Sequence, residues 1–221
     1  MAIHVTTALA EHVTDLAEST FAVVSELRTA TSLSDLSGLR PRVIAAVSGL
    51  ISGAGVITTG NELEWWMGPG PTRLELDLDP TSDTYVDVQR QQWFTIPRET
   101  GRRHVTGPYV DYVCAEQYAL TFTEPIHDDD GAFAGIAGAD VFVADFERAL
   151  RPALRTVGSP TALVNTHGRV VAGTTAQHLA GSLIRDAQIR DALIRQTPMT
   201  LPGGVSLTPC GTLPLTVLTW P

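Results

Sequence analysis

The chain has 221 residues, enough for one large domain or two small ones with a real core, and its 43% hydrophobic and 18% charged content is that of a globular protein. Fifteen basic residues stand against 24 acidic ones, a net charge of −9. That balance excludes a nucleic-acid surface, which needs clustered Lys and Arg against phosphate.

Residues 5 to 28 predict an amphipathic helix, because Val5, Leu9, Val13, Leu16, Val23, Val24 and Leu27 keep close to a 3.6-residue period. "TSLSDLSGLRP" interrupts it, and "RPRVIAAVSGLI" opens a second helix with a proline in its first turn. Gly53 and Gly55 are expected to end that helix. Strand patterns follow: "GVITTG", then "ELEWWMG", then the turn "GPGP". "TRLELDLDP" alternates, with Leu74, Leu76 and Leu78 on one face and Glu75, Asp77 and Asp79 on the other. "SDTYVDVQRQQWF" reads as a helical or irregular crossing segment. "GPYVDYVCA", "YALTFTEPI" and "FAGIAGADVFV" read as three more strands, the last two joined by "HDDDGA" as a hairpin turn. "FVADFERALRPAL" returns to helix. After "VGSP" a smaller unit begins: strand "TALVN", turn "THG", strand "RVVAGT", a helix from Ala176 to about Arg195, then strands in "GVSLTPCG" and "TLPLTVLTW". The expected class is α+β: N-terminal helices to residue 52, a larger antiparallel lobe at 53–143, a connecting helix at 144–158, and a reduced lobe at 159–221.

Motifs for established chemistries are missing. The sequence has no Walker lysine loop, no G-x-S-x-G elbow and no H-E-x-x-H. "GAFAGIAGAD" has glycines off the dinucleotide spacing, and "HDDDG" has consecutive rather than alternating acids, so it reads as a solvated hairpin tip and not a calcium loop. The histidines are scattered, and Cys114 and Cys210 are too few and too distant for a metal site or a disulfide framework, so both are expected as reduced, buried thiols. No cofactor and no metal is expected. The Gly-containing loop "PRETGRRH", with Arg98, Arg102 and Arg103, reads as solvated.

What remains is a cluster in the larger lobe. Trp93 and Phe94 are adjacent aromatics, and Tyr109 and Asp111 share one face of a strand because side chains alternate. Asp140 ends an apolar run, and of Trp65 and Trp66 one must face inward. A carboxylate withdrawn from water costs several kcal/mol unless it is protonated or paired with a cation. Two carboxylates in one cavity raise that cost, and a ligand ammonium relieves both, with rings adding roughly 0.5–2 kcal/mol of cation–π attraction. The plainer alternatives are Asp140 capping the helix that follows, Asp111 paired with Arg102 or Arg103, and Tyr109 and the tryptophans serving as packing.

The stretch "RQQWFTIPRETGRRHVTGPYVDYVCAEQYALTFTEPIHDDDGAFAGIAGADV", Arg90 to Val141, resembles the double Cache family of PAS-like bacterial sensor modules. The resemblance implies a long N-terminal helix, a ligand-binding PAS-like lobe and a second, reduced PAS-like lobe. It also implies non-enzymatic sensing of a small metabolite: an amino acid, another amine or a small carboxylate. Trp93, Phe94, Tyr109, Asp111 and Asp140 fall on the family's ligand positions, and Trp66 joins them as a candidate. The family's carboxylate-clamping arginine would stand two residues before Trp93, where this chain has Gln91. Arg90 is out of step by one residue, a large change for a bidentate clamp. Arg98 is the other candidate donor. Phe94 stands where the family usually has tyrosine.

No stretch reaches the ~18 apolar residues of a membrane span. The N-terminus also lacks a signal peptide's basic start and continuous apolar core. The expected location is therefore the cytoplasm for the chain as written, or outside the membrane if it is the sensor of a larger receptor. Two rival readings stay open: a hydrolase-like enzyme with Asp111 and Asp140 as an acid–base pair, and a structural module that forms a homodimer through the N-terminal helix.

Overall fold

The computed structural model describes residues 2–111 and 116–221, so Cys114 lies outside the described residues. The apolar period of the N-terminal segment forms α1 (Ala2–Ala30), which buries Leu9, Val13, Phe21, Val24 and Leu27. A short 3-10 turn, Leu36–Leu39, follows with Asp35 as its N-cap, accepting from the Ser37 amide at 2.9 Å. It leads into α2 (Arg40–Ala46), with proline in its first turn.

Gly53 and Gly55 do not end this helix, as the sequence reading expects. Helix α2 stops at Ala46, and both glycines lie inside β1 (Gly53–Thr58). They are strand glycines because a neighbouring chain crosses closely there: a Cβ on Gly55 would meet the Glu64 carbonyl and sit 2.6 Å from the Trp65 Cα.

Strand β2 (Leu63–Met67) pairs antiparallel with β1. The alternating run after it contributes only β3 (Thr72–Arg73) to the ladder. Leu74, Leu76 and Leu78 nonetheless pack on the core, so the alternation records burial without strand pairing. A 3-10 turn at Val88–Arg90 then enters α3 (Gln92–Thr100). Strands β4 (His104–Asp111), β5 (Gln117–His127) and β6 (Phe133–Phe142) complete a six-stranded sheet in the order β3-β2-β1-β6-β5-β4. The turn between β5 and β6 is the expected hairpin: the Asp128 carboxylate accepts the Ala132 amide at 2.8 Å and the Asp130 amide at 3.1 Å.

Helix α4 (Val143–Thr156) follows directly and is capped by the backbone of Phe142, so Asp140 is not its cap. The second sheet holds β7 (Thr161–Asn165), β8 (Val170–Gly173), β9 (Met199–Thr200), β10 (Ser206–Pro209) and β11 (Leu215–Thr219), in the order β8-β7-β11-β10-β9. The helix expected over 176–195 is confined to α5 (Ala187–Leu193), with Asp186 as its N-cap. Residues before it are taken by β8 instead: the Val170 amide donates to the Ser182 carbonyl, and the Gly181 amide donates back to Val170, each at 2.8 Å.

The chain divides into two compact units. One comprises Met1–Glu18, Gly107–Leu120 and Phe142–Pro221; the other comprises Ser19–Thr106 and Thr121–Val141. The first has a core of Ala162, Val164, Val170, Ile189, Leu193, Leu207 and Leu218. In the second, one side of the sheet packs on α1, with Phe21 edge-on to Phe122 at 5.3 Å, and on that side Arg28 pairs with Glu124 at 2.9 Å. Its other side carries the candidate site.

Candidate functional site

Register decides which side chains share that other side. Gly53 lies opposite both Met67 and Asp140, Gly55 opposite Trp65 and Gly138, and Ile57 opposite Leu63 and Ile136. Directly opposed residues project from the same face of a sheet. Asp140, Gly138, Ile136, Trp65 and Met67 therefore line one face, with three glycines leaving its middle flat.

Strand β5 adds Thr121 to this face, since its hydroxyl donates to Asp140 Oδ1 at 2.7 Å. Thr123, two residues on, follows it. A Cβ placed on Gly138 would lie 3.1 Å from the Thr123 methyl carbon and 2.9 Å from Cη2 of the Trp65 indole. The face is covered by α3 and the segment leading to it. Phe94, fully buried, packs with Val88, Trp65, Ile57 and Ile136, and the half-buried Trp93 lies against the same cluster. Phe94 also meets Phe133 edge-on at 5.4 Å.

Asp140 is thus a carboxylate with 6% of its surface exposed, set among aromatic and aliphatic side chains. Its backbone is fixed by Ser52, whose amide and hydroxyl both donate to the Asp140 carbonyl, at 2.8 and 3.0 Å. A carboxylate withdrawn from water favours an opposite charge or hydrogen-bond donors beside it.

The other sequence candidates fall in several places. Tyr109 and Asp111 occupy the C-terminal part of β4, in the first unit, with Asp111 buried and Tyr109 partly so. Of the two tryptophans, Trp65 faces the site. Trp66 points to the opposite side, where its indole N–H donates to Glu64 Oε1 at 2.7 Å and the Arg40 guanidinium lies 5.7 Å from its ring centre. Arg90 extends into solvent with 87% of its side chain exposed and pairs with Asp87 at 3.1 Å. Gln91 is the N-terminal flanking residue of α3 and is exposed. Arg98 lies on the exposed side of α3, 6.0 Å from the Phe94 ring centre.

Sequence reasoning named Trp65 and Trp66 together but took Trp66 into the ligand set, and it missed Thr121 and Thr123. The signal for Trp65 was its position two residues from Leu63 and Met67 on an alternating strand. Nothing in the sequence, however, says which of two parities faces the covering helix.

Comparison with known proteins bears on the fold. Residues 73–148 match the family model for the first PDC sensor domain of methyl-accepting chemotaxis protein-like proteins. The extracellular domain of the histidine kinase mmHK1S-Z3 superposes with a TM-score of 0.72 at 13% identity, covering 98% of this chain and 91% of that one. The ligand-binding domain of the Campylobacter jejuni chemoreceptor Tlp3, solved with L-norvaline, gives 0.67 at 16% identity over 98% of this chain and 87% of its own.

The fold is that of a double Cache sensor domain. The ligand-binding domain of the Pseudomonas aeruginosa PAO1 amino acid chemoreceptor PctC, solved with GABA, shares this double Cache fold with a TM-score of 0.67 at 16% identity, over 97% of this chain and 96% of that one. A curated relative, the citrate (Re)-synthase of Syntrophus aciditrophicus (strain SB), is 41% identical over 62 residues, which is 27% of this chain and 9% of that protein. The match therefore spans less than a tenth of that enzyme's length. No described helix of the chain is long and apolar enough to cross a membrane.

Proposed function

We propose that this chain is a non-enzymatic sensing module that binds a small amine, an amino acid foremost, on the Asp140 face of its six-stranded sheet. The observation that carries the proposal is Asp140 itself: a buried carboxylate that accepts from the Thr121 hydroxyl, its backbone carbonyl fixed by Ser52, at the edge of a glycine floor on the face that Phe94 and Trp93 cover. An ammonium is attracted to a buried carboxylate, and aromatic rings on the same face add cation–π attraction of roughly 0.5–2 kcal/mol.

The double Cache neighbours solved with L-norvaline and GABA support the amine reading, since both ligands carry an ammonium group. Tyr109 and Asp111 belong to the proposal on the strength of the sequence resemblance, and each is to be tested by its own substitution. Arg90 and Trp66 have no role in it, because Asp87 and Glu64 already engage them. The ligand-holding lobe is taken as residues 53–143. The likeness to an extracellular sensor domain supports an extracytoplasmic placement, as part of a longer receptor.

The test is a thermal-shift screen of amino acids, polyamines and nitrogen-free carboxylates on the wild type and on Asp140→Asn. A ligand at a hundredfold excess over its Kd adds about 2.7 kcal/mol of stability. Amines should raise the melting temperature of the wild type and leave the variant unmoved. Stabilisation by nitrogen-free carboxylates alone defeats the proposal. The enzyme reading predicts something else: the same variant keeps its ligand affinity and loses turnover.

A further inference from the structure

Two polar groups on the Asp140 face are buried without a hydrogen-bond partner: the Trp65 indole Nε1 and the Thr123 hydroxyl. A third orphan, the Thr106 hydroxyl, is on β4 and does not enter the argument. Burying a donor unpaired is costly, so natural cores seldom keep one without a use for it.

The placement of these two is specific. A Cβ on Gly53 would lie 3.2 Å from Trp65 Nε1, and Gly53 is the direct register partner of Asp140. The indole thus stretches across the floor, its Cη2 end over Gly138 beside Thr123 and its N–H end near Gly53, where the Met67 thioether also lies. Packing does not require a tryptophan or a threonine here in particular. Valine would fill nearly the same space as Thr123 with no orphaned polar atom, and phenylalanine would offer an aromatic ring at position 65 without one.

The charges on the face point the same way. Arg90 is turned to solvent and Gln91 is exposed, so α3 brings no guanidinium from those positions to meet a ligand carboxylate. Resting on the amine-binding reading above, we infer that Trp65 Nε1–H and the Thr123 hydroxyl form a neutral donor subsite for the acceptor end of the ligand, its carboxylate or carbonyl oxygen. The chain then recognises a zwitterion with one charged contact and a pair of uncharged donors. Hydrogen bonds are strongest where one partner is ionised, and a low-dielectric pocket strengthens them further.

The test uses the full chain and two probes that differ only in the carboxylate, L-valine and isobutylamine, with Kd measured by calorimetry. Thr123→Val keeps the packing and removes its donor; Trp65→Phe removes the donor together with one ring of the indole, so its effect on L-valine is read against its effect on isobutylamine. Each is expected to weaken L-valine about tenfold while isobutylamine stays within about twofold. Asp140→Asn is expected to weaken both probes. Thr123→Val without ligand should melt no lower than the wild type, which separates lost recognition from lost folding. If both donor variants bind L-valine as the wild type does, or weaken the two probes equally, the subsite is wrong and the role of Asp140 stands. If the wild type binds neither probe, the amine reading falls and takes the subsite with it.

Discussion

Gly138 shows how little room the floor leaves for change. A methyl group there would press on the Trp65 ring at 2.9 Å and on the Phe122 carbonyl at 3.1 Å, and the carbonyl belongs to a sheet ladder that cannot yield. Gly138→Ala is expected to cost about 1–3 kcal/mol by overpacking, read as a lower denaturation midpoint with an unchanged slope. A variant as stable as the wild type would show that the indole can swing clear. The same neighbourhood marks how much of the site the sequence discloses. Asp140 was legible because an acid at the end of "FAGIAGAD" is out of place among apolar residues. Trp65 was not, because adjacent tryptophans present both parities at once. Only the register against Gly55 assigns Trp65 to the site and Trp66 to Glu64.

Among the elements, α3 is the roof, and it is poorly built as a helix on its own terms. It spans nine residues, carries Pro97 inside, and begins at Gln91 with no side-chain cap, although the Gln91 backbone is extended as a cap residue requires. Its stability must come from the packing of Phe94 and Pro97, both buried. Gln91→Ser supplies a hydroxyl to the free amides of the first turn and is expected to raise stability by about 1 kcal/mol. Chemical denaturation checks this, and a fall in stability would mean that the glutamine contributes something its exposed side chain does not reveal. Elements with strong periodicity, such as α1 and the hairpin of β5 and β6, were legible from the chain alone. The helix expected at 176–195 was not, because Gly181 and Ser182 exchange backbone hydrogen bonds with Val170, a long-range pairing that a local pattern cannot show. The alternation at 74–78 correctly indicated burial and wrongly indicated a ladder, since period-two burial needs only an extended chain against a core.

At the scale of the whole molecule, the titrating groups define a pH range of greatest stability. Burial lowers the pKa of His178 below its ordinary 6.5; its ring stacks on Trp220 at 4.1 Å. The folded state therefore binds this proton less readily than the unfolded chain, and its contribution is complete above pH 6.5 and lost as the pH falls below that value. Cys210, buried, has its thiol pushed up to about 12 from an ordinary 9.0. The folded state holds that proton more tightly, so its contribution is complete below pH 9.0 and declines as the pH rises toward 12. Asp35, Asp77 and Asp79 are held below 3.8, chiefly by hydrogen bonds from Ser37, Ser82 and Thr81 respectively, and add a further loss in stronger acid. Melting temperature should form a plateau between pH 6.5 and 9.0 and fall on both sides. His178→Phe, which keeps the aromatic stack, should flatten the first part of the acid fall. An unaltered acid limb in that variant would assign the fall to other groups.

The glycines at 53, 55 and 138 make the base of the proposed recognition surface out of main chain. Main chain has no side group that evolution can shorten, and lengthening at Gly55 or Gly138 collides with a neighbouring strand or the indole, while at Gly53 it meets the Met67 thioether. Preference for one metabolite over another must then be adjusted from above and from the sides, where α3 and the Leu74–Leu78 run offer replaceable atoms. Related receptors that diverge in taste should differ in their ceilings long before they differ underfoot.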